Sequence, residues 1–249
     1  MRAEDSAIAV ILARAGSQGL PGKNHAPIAG RPCVSWTIDH TLAAQRVGRA
    51  GVSTDDDAVA AVAIEAGIEH WPREPSLATA TARVDDAARA ALRQADERTA
   101  VAEDAAVVLL YANVPVRPTG LIDRAVTLLI ETGCDSVQSY ASVGKFHPAW
   151  TSRVDDGGRV RPWEGERLFG GIYRRQDLEP AFVPDGGVLV VRRACLDATQ
   201  GNPHPHAFLG DDHRGITTET GDVVDIDNAL DLAVADQLLR QAAAGQAGL

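Results

Sequence analysis

Continuous apolar runs and helix-period runs alternate along this chain. "AIAVIL" (Ala7–Leu12) is apolar throughout and stops at a glycine-rich loop, the pattern of a parallel strand buried on both faces. "VSWTIDHTLAAQ" (Val34–Gln45) places Val34, Ile38 and Leu42 four apart, which predicts a helix. "RAGVST" (Arg49–Thr54) reads as a short strand. "DDDAVAAVAIEAG" opens on aspartates and closes on Gly67, start and stop signals for a helix. "IEHWP" is a further short strand, and Thr81–Glu97 has helical spacing through Val84, Ala88 and Leu92. "AAVVLLY" (Ala105–Tyr111) is the strongest buried-strand signal. "TGLIDRAVTLLIETG" predicts a helix capped by Thr119 and ended by Gly133. "CDSVQSYAS" and "GGVLVV" (Gly186–Val191) are strands, and "DNALDLAVADQLLRQAAA" is a closing helix with a fraying tail, "AAAGQAGL".

This alternation predicts an α/β protein, a mostly parallel sheet flanked by helices on both faces in the Rossmann-like manner. Residues 145–184 break the rhythm. They are rich in Arg, Gly, Pro and aromatics, and "RVDDGGRVRPW" reads as a hairpin, so they form an inserted arm within a single domain spanning residues 1–249. The acidic balance, 34 Asp and Glu against 24 Lys and Arg for a net charge of −10, argues against nucleic acid as the main partner. Cys33, Cys134 and Cys195 are odd in number and widely spaced, which suits packing residues in a reducing compartment. The start "MRAEDSAIAVIL" lacks a signal peptide's basic region, and no apolar stretch reaches 18 residues; a cytoplasmic protein without a membrane span is expected.

An acidic protein that binds anions must gather positive charge locally. "LARAGSQGLPGKN" (Leu12–Asn24) does so directly after the first strand, where open parallel sheets bind ligands. It matches neither the P-loop nor the dinucleotide fingerprint. Its glycines alone suit either a phosphate cradle or a plain strand-to-helix turn. The whole string is more specific. "ILARAGSQGLPGKN" resembles the N-terminal signature of the acylneuraminate cytidylyltransferases, the CMP-sialic acid synthetases, through Arg14, Ser17, Gly19, Lys23 and Asn24, with Gln18 in place of a common lysine. Four further segments resemble that family in order: "VSTDD" (Val52–Asp56), "WPREPSLATATA" with Arg73 and Leu77, "RRQDLEPAFVPDGGVLVV", and "DVVDIDNALDLAVAD" with Asp225, Ile226, Asp227, Asp231 and Leu232.

The resemblance implies attack of a sugar hydroxyl on the α-phosphorus of CTP, with Mg²⁺, giving a CMP-sugar and pyrophosphate. It implies nucleotide binding by Leu12, Ala13, Arg14, Ala15, Gly16, Ser17, Lys23, Asn24, Arg73, Ala80 and Thr81, with Arg14, Lys23 and Asp227 central to catalysis. Asn24 and Arg73 fall where the family contacts cytosine. Asp225 and Asp227 are two apart, so on a strand both carboxylates face one side. Read alone, the pair suits either a hard cation or the cap of the final helix; the resemblance favours Mg²⁺. On the acceptor side it implies Tyr111, Asn113, Arg117, Arg175 and Gln176, with Arg175 carried by an arm that reaches across a homodimer interface to the sugar carboxylate, and Arg174 adjacent to it. Here the chain departs from the pattern. "LLYANVPVRP" has Tyr111 for a glutamine and Ala112, Asn113 and Val114 for P-T-S; Ala80 and Thr81 alter a D-T pair, and Asp185 replaces an asparagine. The acceptor therefore stays open: sialic, legionaminic, pseudaminic or Kdo-type acids, a non-sugar acid such as a phosphonate, or no turnover in a nucleotide-binding homologue. In "NPHPHAFLGDDHRG", His204, His206, Asp211, Asp212 and His213 offer a metal reading, but the flanking Pro and Gly favour a solvated loop near the site; His147, where the arm leaves the core, is a candidate for lining the acceptor pocket.

Overall fold

The computed structural model describes residues 6–17 and 19–246; Met1–Asp5, Gln18 and the last three residues lie outside it. In chain order the elements are β1 (Ala7–Ala13), β2 (Pro27–Ile28), β3 (Arg31–Pro32), α1 (Cys33–Ala43), β4 (Val47–Thr54), α2 (Asp57–Glu65) and β5 (Glu69–Pro72). Then follow α3 (Val84–Arg98), β6 (Ala106–Tyr111), α4 (Leu121–Thr132), β7 (Ser136–Ser142), β8 (Ser152–Val154), β9 (Val160–Pro162), β10 (Phe182–Arg192), α5 (Arg193–Ala198), β11 (His213–Thr218) and α6 (Ala229–Gln246).

Seven strands form one sheet in the order β11-β7-β10-β6-β1-β4-β5. Only β10 runs antiparallel to its neighbours, so the sheet is mostly parallel. β1 shows why both faces are covered. Ala7, Ala9, Ile11 and Ala13 enter a core with residues of α1, α2 and α4, while Ile8, Val10 and Leu12 enter a second with Trp71 and residues of α3 and α5. Period-2 alternation thus feeds two cores from a single apolar run. A third cluster of Ile28, Cys33, Ile226 and Ala235 seats α6 and the segment before it.

The structure corrects several expectations. Thr119 does not cap α4; left-handed Gly120 precedes that helix and makes no side-chain cap, while Gly133 ends it as expected. α3 starts at Val84, three residues later than its periodicity suggests, because Thr81–Arg83 belong to the loop that lines the site. The segment read as a histidine loop ends in a regular edge strand, β11, whose register against β7 runs from His213↔Ser136 to Thr218↔Ala141. Its polar composition hid it, because only Ile216 is a buried aliphatic side chain there. α6 runs to Gln246, and the last three residues of the tail expected to fray lie outside the described residues. The arm does contain a hairpin, β8 on β9. Among the described residues no helix is long and apolar enough to cross a membrane.

The start of α3 is held by charge. Asp85 is buried, and its carboxylate accepts Arg83 Nε at 3.0 Å and Arg89 Nη2 at 2.6 Å. Burial pushes this carboxyl up, but the hydrogen bonds from Arg83 and Arg89 outweigh burial and hold it below its ordinary value. A depressed carboxylate stabilises the fold above its unfolded pKa, about 4, and that contribution disappears as pH falls through the folded value. Asp85→Asn is expected to lose about 3 kcal/mol at pH 7 in urea denaturation and to show a smaller loss of stability than the native chain between pH 5 and acid, about pH 2.

Candidate active site

The site lies at the carboxyl ends of β1, β4 and β6, as expected for an open parallel sheet. The chain leaves β1 through Arg14 and turns under two constraints. Ala15 N–H donates to Asp55 Oδ1 at 2.8 Å, tying the loop to the end of β4, and His25 Nδ1 lies 2.9 Å from Asp56 Oδ2. Asp56 also caps α2 through Ala58 N–H and Val59 N–H, so the "VSTDD" string joins two elements. Asp55 was not among the expected site residues; its signal was the run of three aspartates after a strand.

Further on, Lys23 Nζ donates to Ile226 O at 2.7 Å and to Asp227 Oδ1 at 2.8 Å. The loop passes so close to this segment that a Cβ on Gly19 would stand 2.4 Å from Asp227 O, which only glycine permits.

Residues 225–227 are not in a regular strand. They run extended because Val224 N–H donates to Val116 O and Ile226 N–H to Asn113 O. Ile226 is fully buried, and Asp225 and Asp227 flank it. The helix-cap alternative for Asp227 does not hold. Asn228 accepts Leu230 N–H and Asp231 N–H, and Asp231 reaches back to Asn228 N–H and Asp227 N–H, so these two side chains form the capping box of α6. Asp227 is released from that duty. Asp225 is solvent-exposed by area, but its carboxyl lies beside Gly186, where a Cβ would stand 3.3 Å from Oδ2, and accepts Asn113 Nδ2. That desolvation, with Asp227 adding like charge, pushes it up to about 6.

Arg14, Ser17, Lys23, Asn24, Arg73, Tyr111 and Asn113 line one cleft, together with Leu12 and with Leu77, Arg83, Val84 and Ala87, which sequence reasoning missed. Among the described residues, the buried side-chain polar atoms without a hydrogen-bond partner are Arg14 Nη1, Asn24 Oδ1 and Arg73 Nη2. All three belong to this cleft. Asn24 is held from behind, its Nδ2 donating to Arg14 O at 2.9 Å, which aims Oδ1 away from the loop backbone. Burial pulls the Arg73 guanidinium down to about 10; Asp55 opposes this and Arg14 reinforces it. Ala13 and Gly16 belong to the strand end and the loop backbone rather than to the lining.

A second cavity of about 560 Å³ opens beside the first and shares Ala82, Arg83, Val84 and Tyr111 with it. Ala80 and Thr81, expected at the nucleotide, lie here instead, with Gln138, Tyr140, His206, Phe208 and His213. The histidine segment therefore supplies a wall. His147 lines neither cavity; its Nε2 lies 2.9 Å from Glu179 O.

Arg117 is a correction. It is buried, and its guanidinium donates to the carbonyls of Gly187, Val114 and Tyr111 and to Thr37 Oγ1. Four of its five N–H donors are committed to scaffold, so it staples β10 and the turn after β6 to α1. Arg175 and Gln176 occupy a helical turn of the arm and line neither cavity within one chain. Arg174 is paired with Asp177 at 2.8 Å. Among the described residues no group of three or more His, Cys, Asp or Glu side chains is placed to hold a metal ion, so Asp225 and Asp227 stand as a pair.

Arg117→Met is expected to lose at least about 3 kcal/mol in denaturant unfolding, because it removes four hydrogen bonds to scaffold atoms, the one to Gly187 O among them. Unaltered stability with impaired ligand binding would return Arg117 to the site.

The cytidylyltransferase family profile matches residues 8–146. The N-acylneuraminate cytidylyltransferase of Streptococcus agalactiae serotype III is 31% identical over 185 residues, 74% of this chain but 42% of that protein. The chain thus spans under half the length of these streptococcal relatives. The CMP-N,N'-diacetyllegionaminic acid synthase of Legionella pneumophila is 28% identical over 93% of this chain and 95% of its own. A solved structure of CMP:2-keto-3-deoxy-manno-octonic acid synthetase complexed with CTP shares the fold with a TM-score of 0.69 at 18% identity, covering 95% of this chain and 99% of that one. With the match running through both β1 and β6, the strands whose ends build the cleft, the chain belongs to the cytidylyltransferase family.

Proposed function

We propose that the protein transfers CMP from CTP to an acidic sugar and releases pyrophosphate. The observation that carries this reading is the trio of unpartnered polar atoms in the first cleft. Two guanidinium donors call for an anion, and one amide oxygen calls for a ligand N–H. A cytidine triphosphate offers both: phosphate oxygens for Arg14, and N–H and carbonyl groups on the base for Asn24 and Arg73. The relatives named for CMP-sugar synthesis support the acceptor class.

The acceptor hydroxyl attacks the α-phosphorus; its P–O bond forms as the bond to the bridging oxygen of pyrophosphate breaks, and the hydroxyl proton passes to water. Arg14 and Lys23 neutralise the phosphate charge, and Ser17 donates to a phosphate oxygen. Asp225 and Asp227 fit Mg²⁺: they flank one buried residue, neither caps the helix, and two carboxylates suffice for an ion that takes its remaining ligands from phosphates and water. When bound, the ion neutralises charge on the triphosphate. Lys23 holds Asp227 in place and meets the phosphates from the same position. The second cavity receives the acceptor.

The arm is assigned to a homodimer. Phe146, Trp163, Phe169 and Phe182 are at least half exposed or nearly so, and Tyr173 is 95% exposed, an apolar load that a second copy covers. Arg175 then serves the partner's acceptor site as a bidentate donor to its carboxylate.

Purified protein with CTP, Mg²⁺ and a panel of nonulosonic and Kdo-type acids is expected to release pyrophosphate; no release with any acid overturns the reading. Lys23→Ala and Asp227→Ala are expected to cut the rate at least about 100-fold with the fold retained by circular dichroism. Light scattering is expected to give twice the chain mass, and Arg175→Ala to raise the acceptor KM with the CTP KM unchanged.

A further inference from the structure

The outer wall of the second cavity hangs on one side chain. Residues 200–206 follow α5, and every one of them is exposed. Their own hydrogen bonds are local: Gln200 N–H donates to Asp197 O, Asn202 N–H to Thr199 O, and His204 N–H to Asn202 Oδ1. Pro205 and His206 nevertheless line the cavity. Among the described residues, the hydrogen bonds that tie this segment to the chain outside residues 197–210 all come from Arg83. Its Nη1 donates to Asn202 O at 2.5 Å and its Nη2 to His204 O at 3.2 Å. Pro203 stands between those two carbonyls and Pro205 follows them. With φ fixed at both prolines, holding two carbonyls places the whole segment.

Arg83 can aim at these carbonyls because its other edge is gripped from below. Nε and Nη2 meet the two oxygens of buried Asp85 at 3.0 and 2.9 Å, a bidentate contact that fixes the plane of the fork. Asp85 is held in turn by Arg89, which is also buried. Arg89 Nη2 reaches Asp85 Oδ2 at 2.6 Å and Asp86 Oδ1 at 2.7 Å, and its Nη1 donates to Leu196 O of α5 at 2.6 Å. One buried ion network therefore joins the start of α3, α5 and the exposed segment. Arg83 also lines the first cleft, beside Val84 and Ala87 of α3. We propose that Arg83 is a positioning residue for the acceptor: anchored through Asp85 and Arg89, it fixes residues 200–206 as the outer wall of the second cavity. It reads backbone carbonyls, so the side chains of the wall can differ while the tether holds. This inference rests on the cytidylyltransferase reading, in which the second cavity receives the acceptor, and adds to it the residue that shapes that cavity.

Two measurements test it: amide hydrogen exchange of the free protein, and pyrophosphate release with CTP, Mg²⁺ and the panel of acids. In Arg83→Gln, exchange across residues 200–206 quickens at least about tenfold, while amides of β1 and β6 stay within about twofold of native. The KM of the acid that the native chain turns over rises about tenfold, with kcat and the CTP KM within about twofold. Arg83→Lys keeps a donor for one carbonyl and recovers part of both effects. A variant carrying Pro203→Gly and Pro205→Gly slackens the wall and leaves the Asp85 network untouched. It raises the acceptor KM in the same way, and adding Arg83→Gln to it costs less than the sum of the two changes, because both act through the wall. Unaltered exchange in residues 200–206 of Arg83→Gln, additive losses in the combined variant, or a rise confined to the CTP KM overturns the proposal while leaving cytidylyl transfer intact. Absence of turnover with every acid overturns the acceptor role together with the cytidylyltransferase reading, and hydrogen exchange then still decides the tether.

Discussion

The site depends on a clasp between two distant parts of the chain. Lys23, at the end of the loop after β1, reaches Ile226 O and Asp227 Oδ1 across 204 positions of sequence. The loop on its own is glycine-rich and conformationally loose. The 225–227 segment is equally short of regular structure. Each becomes defined against the other: Gly19 allows the close approach, Ile226 plugs the small core beneath, and the Asn228–Asp231 capping box fixes where α6 begins. A cation and a carboxylate that would otherwise be two solvated side chains become one wall of the cleft.

The same arrangement explains why the loop is basic in an acidic protein. Arg14, Lys23 and Arg73 converge from three places on the sheet's carboxyl edge, and their mutual repulsion and desolvation are tolerable only where anions are expected. Asp227 pairs with Lys23, while Asp55 and Asp56 serve the framework. Asp55 takes a backbone N–H, and Asp56 caps a helix.

Much of this was legible in the chain itself. The buried strands announced themselves because parallel strands covered on both faces are apolar without interruption, as in "AIAVIL" and "AAVVLLY". The first cleft was legible because "LARAGSQGLPGKN" resembles a family signature that groups Arg14, Ser17, Lys23 and Asn24, and those side chains do line one cleft. The second cavity was not. β11 is polar and lies at the sheet edge, so its strand character comes from pairing with β7 and not from its own pattern. Gln138, Tyr140 and His213 meet only through that register. Arg117 looked like a ligand residue for the opposite reason: an arginine beside a cleft is ambiguous until its hydrogen bonds are counted, and here they are all made to the scaffold. Aspartate pairs carry a similar ambiguity, which Asn228 resolved by taking the cap.

The reversed direction of β10 has an evolutionary consequence. It separates β1, β4 and β6, which carry the cation-lined cleft, from β7 and β11, which carry the second cavity. The two halves meet at Tyr111 and at the loop from Ala82 to Val84. Substitutions on the β7–β11 half can therefore accumulate without disturbing the clasp, so the two cavities can be reshaped separately.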